Sequence, residues 1–386
     1  MERKIYSAIM ALALGCSMAA CSDDKKNDEP NPNEPVESKD LEYTASNANA
    51  WHNYTIQVAN LLKDDANSLY EAWATSYDGG DAYATTFKNH NNSTYASALN
   101  CISEIIDGCS SIADEVGNAK IGDPYNLYVG GKYEEALYAV ESWYSWHSRE
   151  DYSNNIRSIL NAYTCTYGVD ISAHSISTFV RSLNPELDAK VLEAINNATA
   201  SIIGIPAPFR SHINSLQSRA AMDACATLNE VLDRDLKAFF NSLGDGHDAE
   251  LDAIVKDYVD IVILPTYKDL RDKNAALYTA VRNLADTRSN AAFEAACEAW
   301  LEARAPWEMS EAFLFGPVDA LGLDPNMDSW PLDQDAIVNH LSSGNVSDLI
   351  WGDGDDDGKV EAAQNIRGFH TLEFLLFKDG KARTVK

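Results

Sequence analysis

An all-α fold is predicted by three features of the sequence. Apolar residues recur at the 3.6-residue period through almost every long segment, and no run of alternating apolar and polar residues marks a strand. With 386 residues, 45% of them hydrophobic and 10% aromatic, the chain is long enough for two or three domains and for a sizeable core.

The elements follow in order. Arg3 and Lys4 precede an apolar run from Ile5 to Ala20, so residues 1–20 read as a signal peptide, too short to span a membrane. Ser17-Met18-Ala19-Ala20-Cys21 resembles the lipobox of bacterial lipoproteins, which implies a lipidated Cys21; Cys16 competes less well because the apolar run continues beyond it. Residues 21–40, rich in Asp, Glu, Asn, Pro and Lys without periodicity, read as a disordered tether. Ser22-Asp23-Asp24-Lys25 resembles the surface-export signal of Bacteroidetes-type lipoproteins. The expectation is an outer-membrane lipoprotein, at the cell surface or on the periplasmic face, held to the membrane through Cys21.

Helices are expected at Asn49 to Ser76, Ser93 to Asn118, Tyr133 to Trp146, Tyr152 to Tyr167, Pro185 to Ile203 and Gln217 to Leu243. Others follow at Asp248 to Leu284, Asn290 to Phe313, Asp333 to Ser342 and Lys359 to Phe377. Pro185 suits a first turn, Pro265 should kink its helix, and Pro306 should bend or break the one it enters. Glycine and turn residues over Asn241 to His247 mark a boundary between a helical half at 41–246 and another at 247–386. Between Phe315 and Asp333, turn and aromatic residues predict an ordered loop.

Thirty basic against 59 acidic residues give a formal charge of −29, which excludes nucleic acid and anionic lipid surfaces as partners and suits cations. Beyond Cys21 remain Cys101, Cys109, Cys165, Cys225 and Cys297, without a CxxC spacing, so a cysteine-ligated metal is not expected. One pair could be oxidised, while at least one thiol must stay free as a small apolar side chain. GxSxG, HExxH, P-loop and dinucleotide fingerprints are all missing from the sequence.

The residues that could carry chemistry begin with His370 and Glu373. At i and i+3 of an apolar helix they share a face, where they can hold a metal or form a buried hydrogen bond that merely joins helices. Arg304, Trp307 and Glu311 fall on one helical face if Pro306 does not rotate it, either as a buried Arg–Glu pair or as part of one polar site with His370 and Glu373. Asp353, Asp355, Asp357 and Gly358 match the start of a calcium loop, but Gln364 stands where a bidentate Glu belongs.

At these residues the chain resembles the imelysin-like family, also called insulin-cleaving membrane proteases, whose GxHxxE signature is Gly368, His370 and Glu373. The similarity extends to Arg304 through Pro317, to Asp328-Ser329-Trp330-Pro331, and to Glu141 through Asp151, which is similar to the family's serine-rich segment. There Trp146 and His147 stand where Asp and Asn are expected. That segment ordinarily follows GxHxxE and here precedes it, which looks like a circular permutation; the ends near Leu41 and Lys386 should then lie close together.

The resemblance implies two packed helical-bundle halves with the GxHxxE helix at their interface, and a link to iron uptake. It implies a bound metal ion, iron in the first place with zinc or calcium as alternatives, or a metal-carrying ligand, and partner proteins of iron uptake. His370, Glu373 and Glu311 are the expected metal ligands, with Arg304, Asp328 and Ser145 as further contacts. The alternative is a metallopeptidase in which Glu373 or Glu311 is the general base.

Overall fold

Residues 41–168, 170–344, 346, 349 and 364–385 are described by a computed structural model. The expected signal peptide, the tether and the Asp353 to Gly358 loop lie outside them.

Most of the helical period is realised as helix among the described residues. α1 (Ala48–Ala74) turns Trp51, Val58, Leu62, Leu69 and Trp73 inward at intervals of about one or two turns. α2 (Tyr83–Asn89) and α3 (Ala98–Glu115) follow, and α3 widens into a π-helical segment, Val116–Lys120, before α4 (Gly122–Val129) and α5 (Tyr133–Tyr138). α6 (Ser148–Thr164) runs into a small hairpin, Thr166–Tyr167 against Asp170–Ile171. Next come α7 (Ile176–Leu183), α8 (Pro185–Ile203) and α9 (Leu216–Glu230), the last continuing through the π segment Val231–Leu236 into α10 (Lys237–Asn241). α11 (Asp248–Tyr258) passes through Val259–Ile263, also π, into α12 (Leu264–Thr287). α13 (Asn290–Glu308), α14 (Pro317–Ala320), α15 (Leu323–Asp328), α16 (Gln334–Ser343) and α17 (Gly368–Leu376) complete the helices described, and Phe377–Lys378 pairs with Lys381–Ala382.

Local chemistry sets these limits. Ser97, Ser175, Ser215 and Ser289 each accept a hydrogen bond from a first-turn N–H of the helix they precede. Pro265 is the second residue of α12, and the π segment that ends at Ile263 widens the continuous helix just where the proline withholds an N–H from the ladder. Two expected helices stop early. The one from Tyr133 ends at Tyr138, and Ser142 and Trp146 beyond it take left-handed φ angles of 50° and 62°. The one from Asn290 ends at Glu308, two residues past Pro306, and Glu311–Phe313 forms a separate 3₁₀ turn.

Elements from either side of residue 247 interlock. α1 lies against α12 and α17, and α6 against α13. α17, buried along its whole length, is fixed from both directions. Trp51 Nε1 donates to the Leu375 carbonyl at 3.2 Å, Trp300 Nε1 to the Phe369 carbonyl at 2.9 Å, and the Tyr54 hydroxyl to the Ile366 carbonyl at 2.6 Å. The ends of the described chain meet: Arg383 Nη1 donates to the Leu41 carbonyl at 2.8 Å, and Lys378 Nζ lies 3.0 Å from Glu42 Oε1. Cys101, Cys109, Cys165, Cys225 and Cys297 are all buried and unbridged. Among the described residues no helix is long and apolar enough to cross a membrane.

Candidate functional site

The glycine of the GxHxxE signature is a contact requirement. Gly368 has φ +81°, and a Cβ there would stand 2.4 Å from the Met327 carbonyl oxygen, so only glycine lets α17 begin against the end of α15. That approach brings Asp328, the last residue of α15, to the imidazole. His370 Nε2 lies 3.2 Å from Asp328 Oδ1, and Nδ1 lies 3.1 Å from Glu373 Oε2, the i, i+3 pairing that the sequence predicts.

Glu373 is held in turn by the turns after α5. Its Oε1 accepts from the backbone N–H of Tyr144 at 3.1 Å, from that of Ser145 at 2.8 Å and from Ser145 Oγ at 2.6 Å. This explains the shortened helix: a continuous helix from Tyr133 to Trp146 would tie up the N–H groups that form this anion-binding turn. Ser145 therefore contacts Glu373 directly.

Arg304 is the hub. From α13 its Nη1 pairs with Asp328 and its Nη2 with Glu308 one turn along, while Nε stands 3.7 Å from Asp151 Oδ2. Nη2 is also 3.4 Å from His370 Nε2. Trp307 Nε1 donates to Asp328 Oδ2 at 2.6 Å, Ser142 Oγ donates to Asp151, and Asn155 donates to Glu308. The sequence reading put Glu311 on the Arg304 face. The intrahelical partner is Glu308, at i+4, while Glu311 stands beyond the end of α13 in its own 3₁₀ turn, with a carboxylate oxygen within 4.8 Å of those of Glu308 and Asp328. That turn sits hard on α3, where a Cβ at Gly108 would meet the Ala312 carbonyl oxygen at 2.1 Å. Glu311 faces Lys120 at 4.0 Å; Lys120, 4% exposed at its side chain, lies 3.1 Å from Glu141 and 3.7 Å from Glu115.

Burial and pairing divide these groups. Burial and the Arg304 guanidinium push the His370 proton off, but the bonds to Asp328 and Glu373 overcome them and hold its pKa up at about 9. His370 is therefore an imidazolium with both nitrogens donating. Burial works against ionised Asp328 as well, yet Arg304 and His370 keep it well below the usual carboxylate range. For Glu308, burial prevails over Arg304 and lifts the carboxyl to about 8; for Asp151, likewise, to about 7. Glu311 is raised well above its ordinary value by burial, which Lys120 only partly offsets.

A metal ion fits one part of this arrangement. Glu308, Glu311 and Asp328 each offer an oxygen within 4.8 Å of the other two, a hard-donor set suited to an oxygen-preferring cation. The His370–Glu373 pair offers less, since both ring nitrogens and both Glu373 oxygens are already engaged. Arg304, Asp328, His370, Glu373 and Ser145 thus form one contiguous network, and Glu311 joins it at the far side through Glu308 and Asp328. Glu308, Asp151, Asn155 and Lys120 were not singled out from sequence. Only Glu308 carried a usable signal, its i+4 spacing from Arg304.

Fold and site together define an all-helical protein built around a buried His-x-x-Glu pair, locked into an arginine–carboxylate network. A family model described as Imelysin matches residues 27–234 and 263–386, and the chain belongs to the imelysin family. A crystal structure of an imelysin peptidase from Bacteroides ovatus superposes with a TM-score of 0.88 at 59% identity, covering 90% of this chain and 99% of that one. Iron-regulated protein A of Synechococcus elongatus is 30% identical over 139 residues, which are 36% of this chain and 35% of that protein. The aligned part is thus about a third of that relative's length.

Proposed function

We propose that this chain is a metal-binding lipoprotein of the imelysin family, taking up iron at Glu308, Glu311 and Asp328. The observation that carries the reading is an excess of carboxylates at a buried site: the three oxygens converge, and burial raises the proton affinity of Glu308 and Glu311, so that a cation and protons compete for the same oxygens. The similarity to a protein named for iron regulation favours iron among hard cations. In this reading His370 and Glu373, the expected ligands, fix Asp328 and Arg304 in place, so that the donor set is formed before the ion arrives. Lipidation at Cys21 anchors the chain to the outer membrane, on the cell surface or the periplasmic face, where it meets partner proteins of metal uptake. The meeting of the chain ends near Leu41 and Arg383 supports the permuted order of the two halves.

A peptidase reading is weaker on geometry. His370, Glu373 and Arg304 have no exposed surface, so an extended peptide cannot reach them in this conformation.

The test is iron(II) and manganese(II) titration of the purified mature chain, with elemental analysis, against a Glu308→Gln, Glu311→Gln double variant. Binding by the wild type that falls by about a hundredfold or more in the variant is expected. Undiminished stoichiometric binding in the double variant sinks the reading.

A further inference from the structure

The three carboxylates of the metal site do not keep equal company. Glu308 is tied to Arg304 and Asn155, and Asp328 to Arg304, His370 and Trp307. Those cations are themselves held from several sides: Arg304 by Asp151 as well, and His370 by Glu373. Glu311 faces a different cation. Lys120 stands 4.0 Å from it, too far for a hydrogen bond, while gripping Glu141 at 3.1 Å and approaching Glu115 at 3.7 Å. Its side chain is 4% exposed, so this ammonium is a fixed element of the interior. The π-helical segment Val116–Lys120 ends on it, a local widening of the kind found at functional sites.

We infer that Lys120 is a specificity-determining residue, an internal counter-cation that shares Glu311 with the incoming ion and hands it over by falling back on Glu141 and Glu115. The inference rests on the proposed metal site. A cation entering at Glu308, Glu311 and Asp328 meets the field of a like charge one carboxylate away, and that repulsion sets how strong a cation must be to enter. Monovalent ions do not repay it; a divalent ion does, because it engages three carboxylates at once. Glu141 supplies the retreat: with that carboxylate in place, Lys120 keeps a full partner when Glu311 turns to the metal. Lys120 touches no substrate and acts through the position of Glu311.

Two variants of the mature chain move affinity in opposite directions. Lys120→Met keeps the side-chain volume and removes the charge, and manganese(II) should bind on the order of tenfold tighter, with measurable competition by sodium appearing. Glu141→Gln removes the retreat and leaves Lys120 leaning on Glu311, so manganese(II) should bind on the order of tenfold more weakly. Lys120→Arg, which keeps the charge, should stay near wild type. A merely structural lysine would weaken binding in both Lys120→Met and Glu141→Gln, and that result, or no change in either, overturns the inference. If Lys120→Met does not fold, Lys120→Gln takes its place: tighter manganese(II) binding there supports the inference, and unchanged or weaker binding overturns it. If the wild type binds no manganese or iron, the metal reading itself has failed, which is a separate outcome.

Discussion

Two sides of one buried site handle charge in opposite ways. Around His370 every ionised group has a partner: Asp328 is ionised well below its usual range because Arg304 and His370 face it, and Glu373 takes three hydrogen bonds at one oxygen. Around Glu311 the carboxylates outnumber the cations, and burial drives Glu308 and Glu311 towards the protonated form. The contrast separates two meanings of a polar cluster. The first side is a lattice that positions α13, α15 and α17; on the second, carboxylates exceed cations, and the proposed metal site would draw Glu308 and Glu311 from it and Asp328 from the first.

The largest effect expected from breaking this contrast is loss of the shared hub. Arg304→Met leaves Asp328, Glu308 and Asp151 buried around an apolar side chain, and removing one partner of a buried ion network costs roughly 3–5 kcal/mol. Urea denaturation should show a loss of that size or failure to fold. A loss below about 1 kcal/mol would mean that the network contributes little to positioning the helices.

Next comes the contact that joins the two sides. Gly368→Ala places a methyl group against the Met327 carbonyl at a left-handed φ, combining backbone strain with overpacking at roughly 2–4 kcal/mol together. Its diagnostic consequence lies at Asp328, which moves with Met327. Metal affinity should fall along with stability, whereas an apolar truncation remote from the site, such as Leu69→Ala in α1, should lower stability alone.

How far all this was legible in the sequence differs between the same two sides. The 3.6-residue period gave α1 closely and α8 with the bounds expected, because apolar stripes and a first-turn proline act locally. The His370–Glu373 contact was legible for the same reason, being an i, i+3 pair within one helix. The segment after Tyr138 was not. Its apolar spacing reads as helix, but its N–H groups are drawn to Glu373, more than two hundred residues away, and that tertiary bond outweighs local propensity. Lys120 was equally silent: a lysine at the end of a helical pattern reads as a solvated side chain, and only the arrival of Glu141 and Glu311 makes it an interior charge.

A smaller, signed effect is expected from pH. Glu308, Asp151 and His370 have folded pKa values raised above their unfolded ones, to about 8, about 7 and about 9. Unfolding in that range releases protons, so their stabilising contribution is complete below the unfolded values and is lost as pH rises through the folded ones. The metal-free chain should therefore melt at progressively lower temperature from about pH 5 to about pH 9. Asp328, with its lowered pKa, acts oppositely and loses its contribution only in strong acid. Metal affinity should rise over the same interval, because the ion competes with the protons of Glu308. Calorimetry with and without manganese(II) reads both slopes; parallel slopes would remove the proton–metal competition on which the division of the site depends.

The smallest change gives the sharpest separation, because it is one of sign. Glu311→Gln substitutes a neutral amide for a carboxyl that burial already holds towards its neutral form, at a position whose nearest cation, Lys120, is 4.0 Å away and better paired with Glu141. In the metal-free chain at about pH 8 it should be neutral or stabilising by up to about 1 kcal/mol, since the amide carries no desolvation cost of ionisation and Lys120 keeps Glu141 as a partner. The same replacement on the paired side, Asp328→Asn, takes away an ionised partner from Arg304 and His370 and should cost several kcal/mol. Both variants should lose metal. If Glu311→Gln destabilises the metal-free chain as strongly as Asp328→Asn does, the two sides are one structural lattice, and the surplus of carboxylates is not what distinguishes the site.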